Sequence, residues 1–187
     1  MALGTLILGN VGSTPLPAYA QVEPAPAYAR GEPVAERPMR LDVQLDDSAD
    51  VLGDRHGEAR QALDDLRRRT GLQLFVVFVH DFSGTPAQRW ADDTAVRSDL
   101  GDRDALLAVA TRDRAYAYSF DQDYPLTDAQ LAEVARVAIE PPLGENDWAG
   151  AVIGAAEGYR AALDGRAIPE PAISPGPPDT RSAAEVA

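Results

Sequence analysis

The chain has no cysteine among its 187 residues. Thiol catalysis, cysteine-ligated zinc and disulfide cross-links are therefore excluded. Lysine is absent too, and all 17 basic residues are arginine. That removes Schiff-base chemistry and the lysine of a phosphate-binding loop. Histidine is scarce, with only His56 and His80. No G-x-S-x-G elbow, H-E-x-x-H pair or EF-hand spacing occurs, so nucleophile-elbow hydrolysis and the common zinc and calcium motifs have no sequence support. Long apolar runs are missing as well. The stretch Ala2-Leu3-Gly4-Thr5-Leu6-Ile7-Leu8-Gly9 is far shorter than the roughly 20 residues a spanning helix needs. No direct membrane span is expected in this chain. Positive charge is outnumbered, and the formal net charge is -13. Such a field repels phosphate backbones, so nucleic acid is not an expected partner, whereas cations and basic partners are favoured.

What is present divides the chain into three. No basic residue precedes the first apolar run, yet Ala18-Tyr19-Ala20 is an A-x-A site of the kind signal peptidase cuts. Residues 1–38 are expected to hold the last part of a secretory signal peptide and a Pro/Ala-rich linker. An extracytoplasmic location follows, either secreted or tethered to the cell envelope. Residues 166–187 are rich in proline and are expected to be a disordered tail. The folded unit is expected over 39–165.

Within it, Leu-Gln-Leu-Phe-Val-Val-Phe-Val at 72–79 is short, β-branched and aromatic. It reads as a strand buried on both faces. Alternating Leu41-Asp42-Val43-Gln44-Leu45 reads as an earlier, shorter strand. Between them, Ala59, Ala62, Leu63 and Leu66 recur at helical spacing. Thr85-Pro86-Ala87-Gln88 opens a second helix with a capping-box pattern and proline at the first helical position. Residues 105–110 form a second buried strand, and 115–120 follow it after a link too short for anything but an antiparallel hairpin. Thr127-Asp128-Ala129-Gln130 is another capping box, and its helix is expected to stop before Pro141-Pro142. A last helix is expected over 147–163. The order β-α-β-α-β-β-α-α specifies an α/β fold, a three-layer α/β/α sandwich around a small mixed sheet of about four strands.

Chemistry-bearing residues are mostly aspartates in loops. They cluster at Asp46-Asp47-Asp50, at His80-Asp81, at Asp102-Asp104, at Asp121-Asp123 and at Glu145-Asp147. Loop carboxylates suit hard cations such as Ca²⁺ and Mg²⁺. Aspartate is equally the residue of turns and helix caps. His80 and Asp81 end the central strand, where ligands sit in open α/β sheets. If the first strand runs parallel to the central one, Asp47 and Asp81 share one edge and Asp102 and Asp104 lie at the other; Asp47 meets Asp102 only if the first strand runs antiparallel or the segment is not a regular strand.

These residues resemble the TPM domain family. Asp47-Ser48-Ala49-Asp50-Val51-Leu52 is similar to its D-x-A-x-x-L opening. Thr70-Gly71-Leu72-Gln73-Leu74, Asp102-Arg103-Asp104-Ala105-Leu106-Leu107, Arg112-Asp113-Arg114 and Asp147-Trp148 resemble its later motifs, in order. At the family's D-N-G this chain carries Arg103 and Asp104. The family includes a thylakoid-lumen protein linked to photosystem II repair and many exported bacterial proteins. Plant members have been described as acid phosphatases and some bacterial members as divalent-metal binders. The resemblance implies metal candidates at Asp47, Asp102 and Asp147, with Asp104 as a substitute ligand. Two functions remain open: a non-catalytic envelope module that binds a divalent cation or a partner protein, and a metal-dependent acid phosphatase. In the second, loop carboxylates would hold the ion that polarises a phosphoryl oxygen and activates water.

Overall fold

The computed structural model describes residues 36–177. The signal-like segment, most of the linker and the last ten residues of the tail lie outside them. Strand β1 (Leu45–Asp47) is followed by a 3-10 turn (Gly53–Arg55) and helix α1 (His56–Thr70). Then come β2 (Gln73–Val79), α2 (Ala87–Arg97) and the hairpin of β3 (Asp104–Ala110) and β4 (Ala115–Phe120). Helices α3 (Asp128–Val134), α4 (Glu140–Gly144) and α5 (Trp148–Leu163) complete the domain.

The sheet runs in the order β1-β2-β3-β4. β1, β2 and β3 are parallel, and β4 is antiparallel to β3. The two central strands carry almost no polar side chain, so both faces of the sheet must be covered. One face packs on α1, α3 and α5 through Leu63, Leu66, Val134, Val152 and Tyr159. The other packs on α2 through Trp90 and Ala91, with Leu41 from the preceding segment. Gly71, in the left-handed conformation (φ 79°), ends α1 and lets the chain turn at once into β2.

Three expectations differ from the structure. The first strand is not at 41–45. Leu41 and Leu45 are both buried, but in different cores, and Val43 between them is 52% exposed. Regular pairing begins only where Leu45 meets Val76. The capping box at Thr85 does not form; Pro86 is the N-cap of α2 and no side chain caps it. That at Thr127 does form, with both reciprocal bonds to Gln130. Finally, α3 does not end before the two prolines. It continues through a π-turn (Ala135–Ile139) into α4, whose first turn holds Pro141 and Pro142. Proline is tolerated there because first-turn N–H groups have no helical acceptor.

The proline-rich segment after α5 also differs from expectation, over 166–177. Ile168 packs on the core. Ser174 N–H donates to the Asp147 carboxylate at 2.6 Å and Gly176 N–H to the Glu145 carbonyl at 2.9 Å. The Asn146 amide donates to the Pro177 carbonyl at 3.1 Å. An extended chain without a helix of its own is held by donors and acceptors offered by a loop.

The π-turn brings α5 unusually close. Pro142 has no N–H for the Ala138 carbonyl, and that oxygen lies where a Cβ at Gly154 would be only 2.1 Å away. Backbone on both sides cannot give way. Gly154→Ala is expected to destabilise the domain by about 1–3 kcal/mol, read as a lower urea midpoint with unchanged m-value. An unchanged midpoint would mean that the two helices do not meet there.

Candidate functional site

The parallel course of β1 decides which carboxylates can meet. Asp47 pairs with Phe78 at the C-terminal end of the sheet, and Gln73 pairs with Asp104 at the N-terminal end. Asp47, His80, Asp81 and Asp147 therefore belong to one edge. Asp102 and Asp104 belong to the other. The candidates Asp47, Asp102 and Asp147 do not converge.

At the C-terminal edge, the loops after β1 and before α5 are built around their carboxylates. Asp47 accepts from the N–H groups of Val51 (3.0 Å) and Leu52 (2.9 Å), one on each oxygen. It thereby closes the turn that seats Ala49 and Leu52 in the core. Asp147 caps α5, accepting from Gly150 N–H at 2.8 Å. Its side chain is only 1% exposed, and it also accepts from Arg55 Nη1 at 2.5 Å. Its second oxygen takes Ser174 N–H. Arg55 is held above its ordinary pKa, first by its hydrogen bond to Glu58 and, against the opposing effect of burial, by the charge of Asp147. Asp81 accepts from the Ser83 N–H at 2.9 Å and hydroxyl at 3.1 Å. His80 N–H donates to the Glu36 carboxylate and His80 carbonyl accepts from Arg112 N–H at 2.8 Å.

At the opposite edge, Asp104 accepts from Gly101 N–H at 2.9 Å. Asp102 lines an open cleft of about 510 Å³ with Arg69, Arg103, Asp123, Tyr124 and Asp164. Carboxylates and guanidinium groups both line it, which disfavours binding either a metal or an anion.

The residues present do not fit a divalent cation. Ca²⁺ needs six or more oxygens, and Mg²⁺ a near-octahedral set. Among the described residues no group of three or more His, Asp or Glu side chains is placed to hold a metal ion. Asp47 is bonded to backbone N–H groups, and Asp147 faces a guanidinium.

A different feature of the same edge is a cleft of about 220 Å³, which opens where β3 ends and β4 begins. Its walls are Val109, Ala110, Leu143 and Trp148, and its rim carries Arg114, Tyr116 and Glu140. Trp148 is fixed edge-on against Phe78, with ring centroids 6.2 Å apart. Arg114 donates to the Asn146 side chain at 2.9 Å, joining the hairpin tip to the loop before α5. Tyr116 hydroxyl donates to Glu140 at 2.7 Å. Burial, then that hydrogen bond to a carboxylate, pushes the Tyr116 phenol far above its usual value. Burial likewise raises Tyr118 and Tyr159. Tyr116 is not poised to ionise near neutral pH, and no serine, threonine or histidine lines the cleft. Sequence reading missed the cleft because Val109, Leu143 and Trp148 look like ordinary core positions. It also missed Arg55 and Glu36, and the remote partner of Asp113, whose carboxylate accepts from Phe82 N–H at 2.8 Å.

Two outcomes are expected. Asp147→Asn weakens the bond to Arg55 and puts an amide among three donors, lowering stability by about 2–3 kcal/mol. Denaturant unfolding would measure it, and a loss below about 0.5 kcal/mol would mean the pair is incidental. The raised tyrosines give a pH dependence. The folded state holds their protons more tightly than the unfolded chain, so stability is full below about pH 10 and falls as pH rises past it. Urea midpoints at about pH 8 and about pH 11 should differ in that direction, and less so in Tyr116→Phe.

Comparison with known proteins agrees with this architecture. A family model described as TPM domain matches residues 45–162. Two UPF0603 proteins from Mycobacterium tuberculosis strains are each 40% identical over 126 residues, covering 66% of this chain. The chain spans 19% of the length of these curated relatives. Among solved structures, the N-terminal domain of the cg2496 protein from Corynebacterium glutamicum has a TM-score of 0.56 at 24% identity, covering 70% of this chain and 86% of that one. The N-terminal domain of a P. gingivalis protein has a TM-score of 0.57 at 17% identity, covering 65% and 82%. These two likenesses concern the fold. The TPM match takes in the loops of Asp47, Asp102 and Asp147 together with the whole sheet, and on that ground the chain belongs to the TPM domain family.

Proposed function

We propose that this domain is a non-catalytic protein-binding module of a longer, extracytoplasmic envelope protein, and that it takes its partner in the cleft beside Trp148. The cleft carries the proposal. Its volume of about 220 Å³ suits one large apolar side chain, and its aromatic wall is held rigid by Phe78. Arg114, Tyr116 and Glu140 supply polar contacts at the rim for the backbone or neighbours of that side chain. An aromatic in a desolvated pocket bordered by polar groups is the arrangement that concentrates binding energy at protein interfaces. The length of the curated relatives supports a modular role. The export-like segment supports the location.

Phosphatase chemistry has less support. Asp47 and Asp147 are engaged by backbone and Arg55, and Asp102 lies at the far edge. Two measurements test the proposal. A chromogenic phosphate monoester should show no hydrolysis above background with Mg²⁺ or Ca²⁺; chelator-sensitive release would sink it. A photo-crosslinking residue at Leu143 should capture a discrete partner in intact cells, and one at the exposed Val96 should not. Equal labelling from both positions would remove the cleft as the binding surface.

A further inference from the structure

We infer that the guanidinium of Arg55 takes the place of a divalent cation at the C-terminal edge of this domain, so that the edge assembles without metal. Arg55 bonds the carboxylates of Glu58 and Asp147 at 3.0 and 2.5 Å. Glu58 lies in the first turn of α1 and Asp147 is the N-cap of α5, and linking carboxylates from separate elements is what a bridging cation does. A guanidinium suits the task because it is permanently charged and presents several N–H donors in a planar fork. The same residue reaches the Asp47 loop through its backbone: Arg55 N–H donates to the Leu52 carbonyl at 3.0 Å, and Leu52 N–H donates to Asp47. Two carboxylates of this edge are metal candidates by the family resemblance, Asp147 and Asp47, and the Arg55 side chain bonds the first while its backbone adjoins the loop of the second. Arg55 satisfies one directly and is linked to the other through Leu52. This inference is independent of the cleft and of any partner.

The test uses the full chain, with CaCl2 and EDTA as the probes. In the wild type, amide NMR signals of 47–52 and 147–150 should not move with millimolar Ca²⁺, and the melting temperature should be the same in Ca²⁺ and EDTA. Arg55→Ser opens a vacancy beside Asp147 and Glu58. It should melt lower than wild type in EDTA and regain about 2–4 °C in Ca²⁺. Arg55→Lys keeps the charge and should stay indifferent to Ca²⁺. Saturable wild-type shifts at those amides would overturn the inference. So would an Arg55→Ser protein with no response to Ca²⁺, including one that fails to fold in both conditions. Should Arg55→Ser fold only with Ca²⁺, the inference stands.

Discussion

The domain depends on a sheet whose central strands have no polar face. Val76 and Phe78 enter one core, and Val77 and Val79 enter the other. Leaving either side open would expose several large apolar side chains, each worth about 1.5–3 kcal/mol when buried. The two faces are covered unequally. α1, α3 and α5 cover the first, whereas α2 alone among the helices covers the second. A single helix is about 10 Å wide with its side chains, less than a four-stranded sheet. The segment before β1 covers the remainder. Leu41 and Met39 pack beside Trp90, and Leu41 N–H donates to Ser98 Oγ at 3.0 Å. The Trp90 indole donates to the Glu36 carbonyl at 2.8 Å. Residues 36–41 thus serve as a second-face element without being a helix or strand.

The first face has its own closing device. Asp147 is a charge taken almost completely out of water, which costs several kcal/mol unless donors replace the lost hydration. Three donors do so, and they come from three parts of the chain: Arg55, Gly150 and Ser174. One carboxylate therefore fastens the start of α1, the start of α5 and the segment that leaves the domain. With the Glu145 carbonyl and the Asn146 amide, it holds a proline-rich stretch that has no periodic apolar face.

Most of the sheet was legible because β2, β3 and the hairpin obey local rules. An apolar run between Gly71 and His80, or a four-residue link between two strands, has few other interpretations. The errors have a common cause in long-range contacts. Leu41, Val43 and Leu45 alternate like a strand, yet Leu41 is drawn to the far core. Pro141 and Pro142 look like a stop, but the preceding π-turn places them in a new first turn. Arg55 and Asp147 are 92 residues apart, and neither position alone announces a partner. The loop carboxylates were legible as a set. Which of them share an edge depended on the direction of β1, which three residues of pairing decide.

That direction also changes how the family motifs are best understood. In D-x-A-x-x-L, the aspartate binds the N–H groups of Val51 and Leu52, the alanine donates to the Phe78 carbonyl at 3.0 Å and the leucine fills the core. Every named letter has a structural task. In Asp147-Trp148, the aspartate joins three segments, and the tryptophan packs on Phe78 with its exposed side left to the cleft. Residues that complete a fold need no ligand to account for them. Trp148 is different: it is partly buried against Phe78 and also lines the cleft, so the fold does not use all of its surface, and aromatics of that kind are enriched at binding surfaces. The proposed binding surface therefore rests on Trp148 rather than on the carboxylates that the motifs contain.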